Sequence, residues 1–201
     1  MSKSMESAAR PSRTVWLLVA MFFAPLLIAF ILYYGVEGWR PAGGANHGEL
    51  ITPARPLPAP ALTSASDAPL EPQFMRGKWT LVYIGDGQCD ARCREALTLM
   101  RQTRLALNDD LTRVQRVFLA TGQCCDHRYL DAEHRGLITA RAEGEAAAAL
   151  LQYFPGAETG GSGRIYIVDP LGNLMMSYAP DAPPKGLFED LKTLLKLSHI
   201  G

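Results

Sequence analysis

The sequence has no surplus of charge of either sign: 20 Lys and Arg stand against 20 Asp and Glu. A protein that neutralises many phosphates carries a basic surplus or a basic face, so the balance speaks against nucleic acid as a partner. Cysteine is scarce, with 4 in 201 residues, too few for a disulfide-dense scaffold. Residues 15–34 contain no charged side chain at all. That run is longer than the apolar core of a secretory signal, and no A-x-A-like cleavage site follows it, which argues against a removed leader.

What is present begins with that run, VWLLVAMFFAPLLIAFILYY. About 20 apolar residues rising roughly 1.5 Å each span a hydrocarbon core of about 30 Å. Pro25 falls inside it, which membrane helices tolerate, and Trp16, Tyr33 and Tyr34 lie at its ends, where aromatic rings prefer the headgroup zone. Lys3, Arg10 and Arg13 precede it, against Arg40 on the other flank, so the positive-inside rule places the N-terminus in the cytoplasm and exports the rest.

Residues 41–72 hold seven of the 14 prolines: Pro41, Pro53, Pro56, Pro58, Pro60, Pro69 and Pro72. Such a stretch cannot hold a helix and favours extended backbone, so it is expected to be a linker, either a semi-rigid stalk or a plain tether. About 130 residues follow, enough for one core. The β-rich run 79–84 (WTLVYI) ends at Gly85-Asp86-Gly87, and 92–107 has apolar residues near helical spacing. A second strand is expected over 114–120, a helix over 143–153, strands over 165–168 and 174–178, and a closing helix over 186–197. That order predicts an α/β domain: a mixed sheet flanked by helices on both faces.

Cys89 and Cys93 stand four apart where the first strand meets the first helix. Residues at i and i+4 share a helix face, so the two sulfurs can meet. The positive end of the helix dipole, with Arg92 and Arg94 nearby, favours thiolate, which is both a redox nucleophile and a soft-metal ligand. A structural disulfide remains the alternative, because an exported compartment is oxidising. Cys124, Cys125 and His127 follow the second strand, at the sheet edge where α/β sites lie, and are candidate auxiliaries. Cys124 could equally staple to Cys89 or Cys93, since adjacent cysteines rarely bond each other. His127 and His134 read as solvated loop residues, His47 and His199 as linker and tail without a role, and at least one of Met175 and Met176 as core filling. No Thr, Arg and Pro set surrounds a lone cysteine, which sets a thiol peroxidase aside.

The segment LVYIGDGQCDARCREAL at 81–97 resembles the strand, turn and C-x-x-x-C helix of the Sco/SenC family, and IYIVDPLGN at 165–173 resembles that family's later strand and D-x-x-G turn. The resemblance covers about the whole soluble domain. It implies a thioredoxin-like fold, a membrane anchor, and a role in cytochrome c oxidase assembly, with a respiratory oxidase subunit or its assembly factors as partners. It implies Cu(I) as the metal, held by Cys89 and Cys93, which would also be the catalytic pair. The family's copper histidine has no counterpart in ETGGSGR at 158–164, where Gly161 or a neighbour takes its place, and the proline that precedes this strand in thioredoxins is also missing. The segments GWRP at 38–41 and NHGEL at 46–50 are similar to those of a membrane-anchored proteobacterial branch found in oxidase-assembly gene neighbourhoods.

The expected organisation is a cytoplasmic N-terminus (1–14), a transmembrane helix (15–36), a Pro-rich linker (37–72) and a thioredoxin-like domain (73–201). The chain is expected in the inner (cytoplasmic) membrane as a single-pass protein, in contact with the lipid bilayer, with its C-terminal domain in the periplasm. Two functions compete: a thiol or Cu(I)-handling factor in respiratory oxidase assembly, and a non-catalytic interaction or scaffold protein whose cysteines form a structural disulfide. The topology has a direct check. A reporter enzyme that works only outside the cytoplasm, fused after Gly201, should be active. Activity of a cytoplasm-only reporter at the same position would reverse the orientation.

Overall fold

The computed structural model describes residues 13–35, 46–157, 163–198 and 200–201. The chain separates into two units, 1–44 and 45–201. In the first, helix α1 (Arg13–Gly35) contains Pro25 and turns apolar side chains outward all round. A helix with no polar face suits lipid rather than water, and Arg13–Leu32 is long and apolar enough to cross a membrane.

The second unit is built on the pair β2 (Trp79–Asp86) and β3 (Val114–Thr121), joined by α2 (Ala91–Ala106) and a 3-10 segment (Asn108–Arg113). The two strands run parallel, in register from Trp79 opposite Val114 to Asp86 opposite Thr121. Beyond them come α3 (His127–Glu133), β4 (Leu137–Arg141), α4 (Gly144–Leu151), β5 (Ile165–Val168), β6 (Asn173–Tyr178) and α5 (Pro184–Leu197). With β1 (Glu49–Pro56) the sheet has six strands in the order β1-β6-β5-β2-β3-β4, parallel across β2-β3-β4 and antiparallel elsewhere.

Because successive strand residues point to opposite faces, β2 feeds two cores. Leu81 and Tyr83 join Leu97, Met100, Phe118, Met176, Leu187 and Leu191 beneath α2 and α5. Val82 and Ile84 join Val117, Leu119, Leu150, Phe154 and Tyr166 on the other face. The strands and helices read from periodicity are all present, and so is the D-x-x-G turn. There the Asp169 carboxylate accepts hydrogen bonds from the amides of Leu171 at 2.9 Å and Asn173 at 2.8 Å. Strand β4 and helix α3, which periodicity did not mark, complete a second parallel crossover.

The expected linker over 37–72 needs correction. Residues 37–45 lie outside the described residues, but from Asn46 onward the stretch belongs to the domain. Its first part is β1, an edge strand antiparallel to β6, and only at an edge can a strand carry Pro53 and Pro56 without breaking a second ladder. The chain then crosses the second face, burying Leu57 and Leu62, each 5 % exposed. It ends on the opposite edge, where the amide of Arg141 donates to Thr63 and the amide of Ala65 to Thr139. The proline-rich segment is therefore a strap across the sheet that covers both edges.

A clasp holds the start of the strap. Asp190 of α5, 5 % exposed, accepts hydrogen bonds from the amides of His47 and Gly48 at 2.8 Å each and from the Tyr178 hydroxyl at 2.7 Å. His47 also meets Asp190 through Nδ1 at 3.1 Å and Glu189 through Nε2 at 3.1 Å, so it is an anchor and not the idle linker residue expected. A Cβ at Gly48 would fall 2.5 Å from the Tyr178 ring, which leaves glycine as the residue that fits.

Burial pushes the Asp190 carboxyl up, and the bonds from Gly48, Tyr178 and His47 outweigh it, leaving a net depression. A depressed carboxylate contributes stability above its unfolded value, about 3.9, and loses it as pH falls through the folded value. Asp190→Ala leaves three donors without their acceptor and should cost about 3 kcal/mol at neutral pH. In urea titrations, the gap between wild type and Asp190→Asn should narrow as pH falls below about 4. A gap independent of pH would rule out the ionised clasp.

Candidate functional site

Strand β2 ends at Asp86 and the chain turns into α2 through Gly87, Gln88 and Cys89. The amides of Gln88 and Cys89 both donate to Asp86, at 2.8 and 3.0 Å. The turn places Cys89 at φ +52°, in the left-handed region that side chains other than glycine seldom occupy. Asp90 caps the helix by accepting from the Cys93 amide at 2.9 Å. One helical turn then carries Cys93 back over Cys89, with Cα atoms 5.0 Å apart and the sulfurs joined in a disulfide. Both residues are buried, 1 % and 2 % exposed.

Strand β3 leaves the same edge, and its loop carries the second pair. Cys124 and Cys125 are half-buried and joined to each other in a disulfide across a cis peptide. Of the options open to Cys124, a staple to Cys89 or Cys93 is not the one taken: those two close on each other, and Cys124 bonds its neighbour, although adjacent cysteines rarely do so. Asp126 caps α3 by accepting from the Tyr129 amide at 3.2 Å.

The two loops are bonded face to face. The Gly87 amide donates to Thr121 at 2.9 Å, the Asp126 amide donates to Gly87 at 3.1 Å, and the Gln88 side chain donates to the Gln123 carbonyl at 3.3 Å. Arg94 ties the same parts together. It donates through Nε to the Cys89 carbonyl at 3.2 Å and through Nη2 to the Asp126 carboxylate at 3.2 Å, and it lies 4.4 Å above the Tyr129 ring. Both disulfides pack on the same core face as Tyr83, Leu97 and Phe118. Burial, then the Asp90 carboxylate, pushes the Tyr83 phenol up to about 12, with Arg92 opposing, so Tyr83 stays neutral beside the bridge.

The candidate histidines divide. His127 is the first residue of α3 and is exposed. His134, expected in solvent, is 2 % exposed, with Nε2 2.7 Å from the Tyr129 hydroxyl. Burial, reinforced by the charges of Arg101 and Arg116, holds its imidazole down at about 4 against the opposing pull of Glu133, so it is neutral at pH 7. Met176 fills the core and Met175 packs against it. His199 and residues 158–162, where the copper histidine has no counterpart, lie outside the described residues. Among the described residues no three His, Cys, Asp or Glu side chains are grouped to hold a metal. Reduction of the Cys89–Cys93 bridge would supply two soft sulfur donors, a set that fits Cu(I) in low coordination.

Sequence reasoning missed the roles of Asp126 and Tyr129, although an Asp just before a helix is itself a cap signal.

Residues 79–198 match the family model described as transmembrane-like, thioredoxin-like, C-terminal domain. No curated protein matches the chain. Among solved structures, yeast Sco1 with copper bound superposes with a TM-score of 0.61 at 14 % identity, covering 74 % of this chain and 96 % of that one. Apo Sco1 from Thermus thermophilus gives 0.56 at 19 % identity, over 76 % and 99 % of the two chains. A thiol:disulfide interchange protein of the thioredoxin family from Chlorobium tepidum gives 0.53 at 20 % identity, over 71 % and 98 %. The thioredoxin-like fold implied by the Sco/SenC resemblance is thus shared with solved Sco structures.

The contact between the two loops can be tested at Gly87. A Cβ there would fall 2.5 Å from the Gln123 carbonyl oxygen and 2.6 Å from the Cys124 Cα, both backbone atoms. Gly87→Ala should therefore push the loops apart, cost about 1–3 kcal/mol in urea unfolding, and speed amide exchange at Asp126. Unchanged stability together with unchanged exchange would show that the loops do not bear on each other.

Proposed function

The chain belongs to the transmembrane-like, thioredoxin-like C-terminal domain family, and from that premise we propose that it is a membrane-anchored factor whose Cys89–Cys93 pair exchanges disulfides or handles Cu(I) on an exported partner. The observation that carries this reading is the bonded pair formed by Cys89, in the turn after β2, and Cys93, in the first turn of α2, at the C-terminal end of the central strand, where α/β folds place their sites.

In the exchange, a thiolate of a partner dithiol attacks one sulfur of the bridge. The Cys89–Cys93 bond breaks, and the other sulfur leaves as thiolate and takes a proton. The partner's second thiolate then attacks its own sulfur in the mixed disulfide and releases the first cysteine as thiol. Two electrons and two protons pass from the partner dithiol to the pair. Arg94, bonded to the Cys89 carbonyl, holds positive charge near the leaving thiolate. The buried sulfurs require the turn at 87–89 or the loop at 122–126 to move aside before a partner can reach them.

Copper is the cargo in the second arm of the proposal, and the copper-bound yeast Sco1 structure supports it. Cys89 and Cys93 would hold Cu(I) once reduced, and Cys124, Cys125 and His127 are the candidate auxiliaries. We assign the chain to respiratory cytochrome oxidase assembly on the Sco/SenC resemblance, with an oxidase subunit or another assembly factor as partner. The anchor at 15–36 would place it in the inner membrane with the domain periplasmic. A non-catalytic scaffold role is favoured by one observation, the burial of both sulfurs.

The reduction potential of the pair, measured on the full chain in neutral detergent, separates these readings. A working pair should lie near −200 mV or higher, whereas a value below about −300 mV marks a structural bridge and overturns the proposal. Anaerobic Cu(I) titration should give one equivalent bound to reduced wild type and none to Cys89→Ser/Cys93→Ser. Equal binding by both would remove the copper arm.

A further inference from the structure

The opposite end of β3 from the cysteine loops carries a second constellation that the proposed chemistry does not use. A cavity of about 270 Å³ lies between the last turns of α2, the start of β3 and the α3–β4 turn. Four arginines line it: Arg101, Arg104, Arg116 and Arg135. The one acidic residue in the lining is Glu133. That carboxylate is 57 % exposed and is engaged by Arg101 at 3.4 Å, so it does little to neutralise the interior.

Arg116 is the decisive member. It is 3 % exposed, and its Nη2 donates to the Arg135 carbonyl at 2.8 Å. Its Nε and Nη1 have no hydrogen-bond partner among the described residues. A guanidinium does not escape burial by deprotonation in the way a lysine can, and buried N–H groups without acceptors are costly. Burial, with the charges of Arg104 and Arg101, pulls Arg116 down only to about 10, so it remains a cation at neutral pH. The sequence thus places a buried, half-satisfied cation beside three like charges, an arrangement that an anion would complete.

We propose that this cavity binds a phosphate group, held by charge-assisted hydrogen bonds from Arg101, Arg104 and Arg135, with Arg116 as the fixed, buried cation beneath it. Several guanidinium groups around one pocket suit a dianion with several acceptor oxygens better than a monoanionic carboxylate. The volume admits a phosphate with a small substituent, the size of a phosphomonoester or a phospholipid headgroup. The site is independent of the cysteine chemistry.

The test uses the full chain in phosphatidylcholine nanodiscs at low ionic strength, with inorganic phosphate as probe and chloride at matched ionic strength as control. Phosphate should bind and raise Tm where chloride does not. Arg116→Met, which removes the buried charge, should bind phosphate at least tenfold more weakly. Arg104→Gln and Arg135→Gln, on the cavity rim, should weaken it while circular dichroism confirms the fold. Phosphatidylglycerol in the nanodisc distinguishes the source: competition with free phosphate supports a lipid headgroup, and unchanged phosphate affinity supports a soluble phosphate. No phosphate-dependent change, or equal affinity in wild type, Arg116→Met and Arg104→Gln, would show a water-filled cavity and overturn the proposal.

Discussion

The eight-residue parallel pairing of β2 with β3 is the constraint on which the rest of the domain depends. Parallel neighbours need a crossover, and α2 with its 3-10 extension supplies it. Parallel strands also release their following loops at one edge. The turn that carries Cys89 and the loop that carries Cys124 and Cys125 therefore emerge side by side, close enough for Gly87 to exchange hydrogen bonds with Thr121 and Asp126. The same pairing places Arg116, at the other end of β3, beneath the last turns of α2. One register thus sets two separate polar constellations, one at each end of the strand.

The edges of that sheet are managed by a single segment. A mixed sheet open at both sides presents unpaired backbone groups to other chains. Here residues 46–72 pair with β6 on one side, cross beneath the second core and pair with β4 on the other. Prolines suit this course, because an edge strand needs only one ladder and an extended crossing needs no internal hydrogen bonds. The clasp at Asp190 fixes the beginning of the strap to α5 by three donors that converge on one buried carboxylate. The strap is also the first described part of the domain after α1, so the clasp secures the point at which the chain enters its fold.

Arginine does two different jobs in this domain. Arg94 is half-exposed and works through geometry, spanning the Cys89 carbonyl, the Asp126 carboxylate and the Tyr129 ring. Its planar fork makes those three contacts at once, which the single ammonium of a lysine could not. Arg116 is buried and only half satisfied, and its neighbours repel it. Between the two lies the Tyr129–His134 pair, in which a neutral imidazole meets a phenol at 2.7 Å. Burial and nearby positive charge keep that imidazole uncharged, so it serves as packing and as a hydrogen-bond partner and adds no further cation.

The sequence alone determined the elements that repeat a simple pattern. The uncharged run at 15–34, the β-rich run at 79–84, the apolar stripes of α2 and α5, and the D-P-L-G turn all follow from spacing and composition that act over a few residues. The meeting of Cys89 and Cys93 was legible only in part: Cys93 lies in the first turn of α2, but Cys89 precedes the helix at φ +52°, and the turn after β2 brings it beside Cys93. Other features depended on partners distant in the chain. The proline-rich stretch reads as a tether until β6 offers an edge, and His47 reads as idle until Asp190, 143 residues later, comes beside it. His134 reads as solvated until Tyr129, Arg101 and Arg116 enclose it. The pairing of Cys124 with Cys125, and not with the first pair, was likewise visible only in the folded chain. Local periodicity encodes what a segment is, but burial and long-range hydrogen bonds are properties of the packed sheet, and only the tertiary structure could decide them.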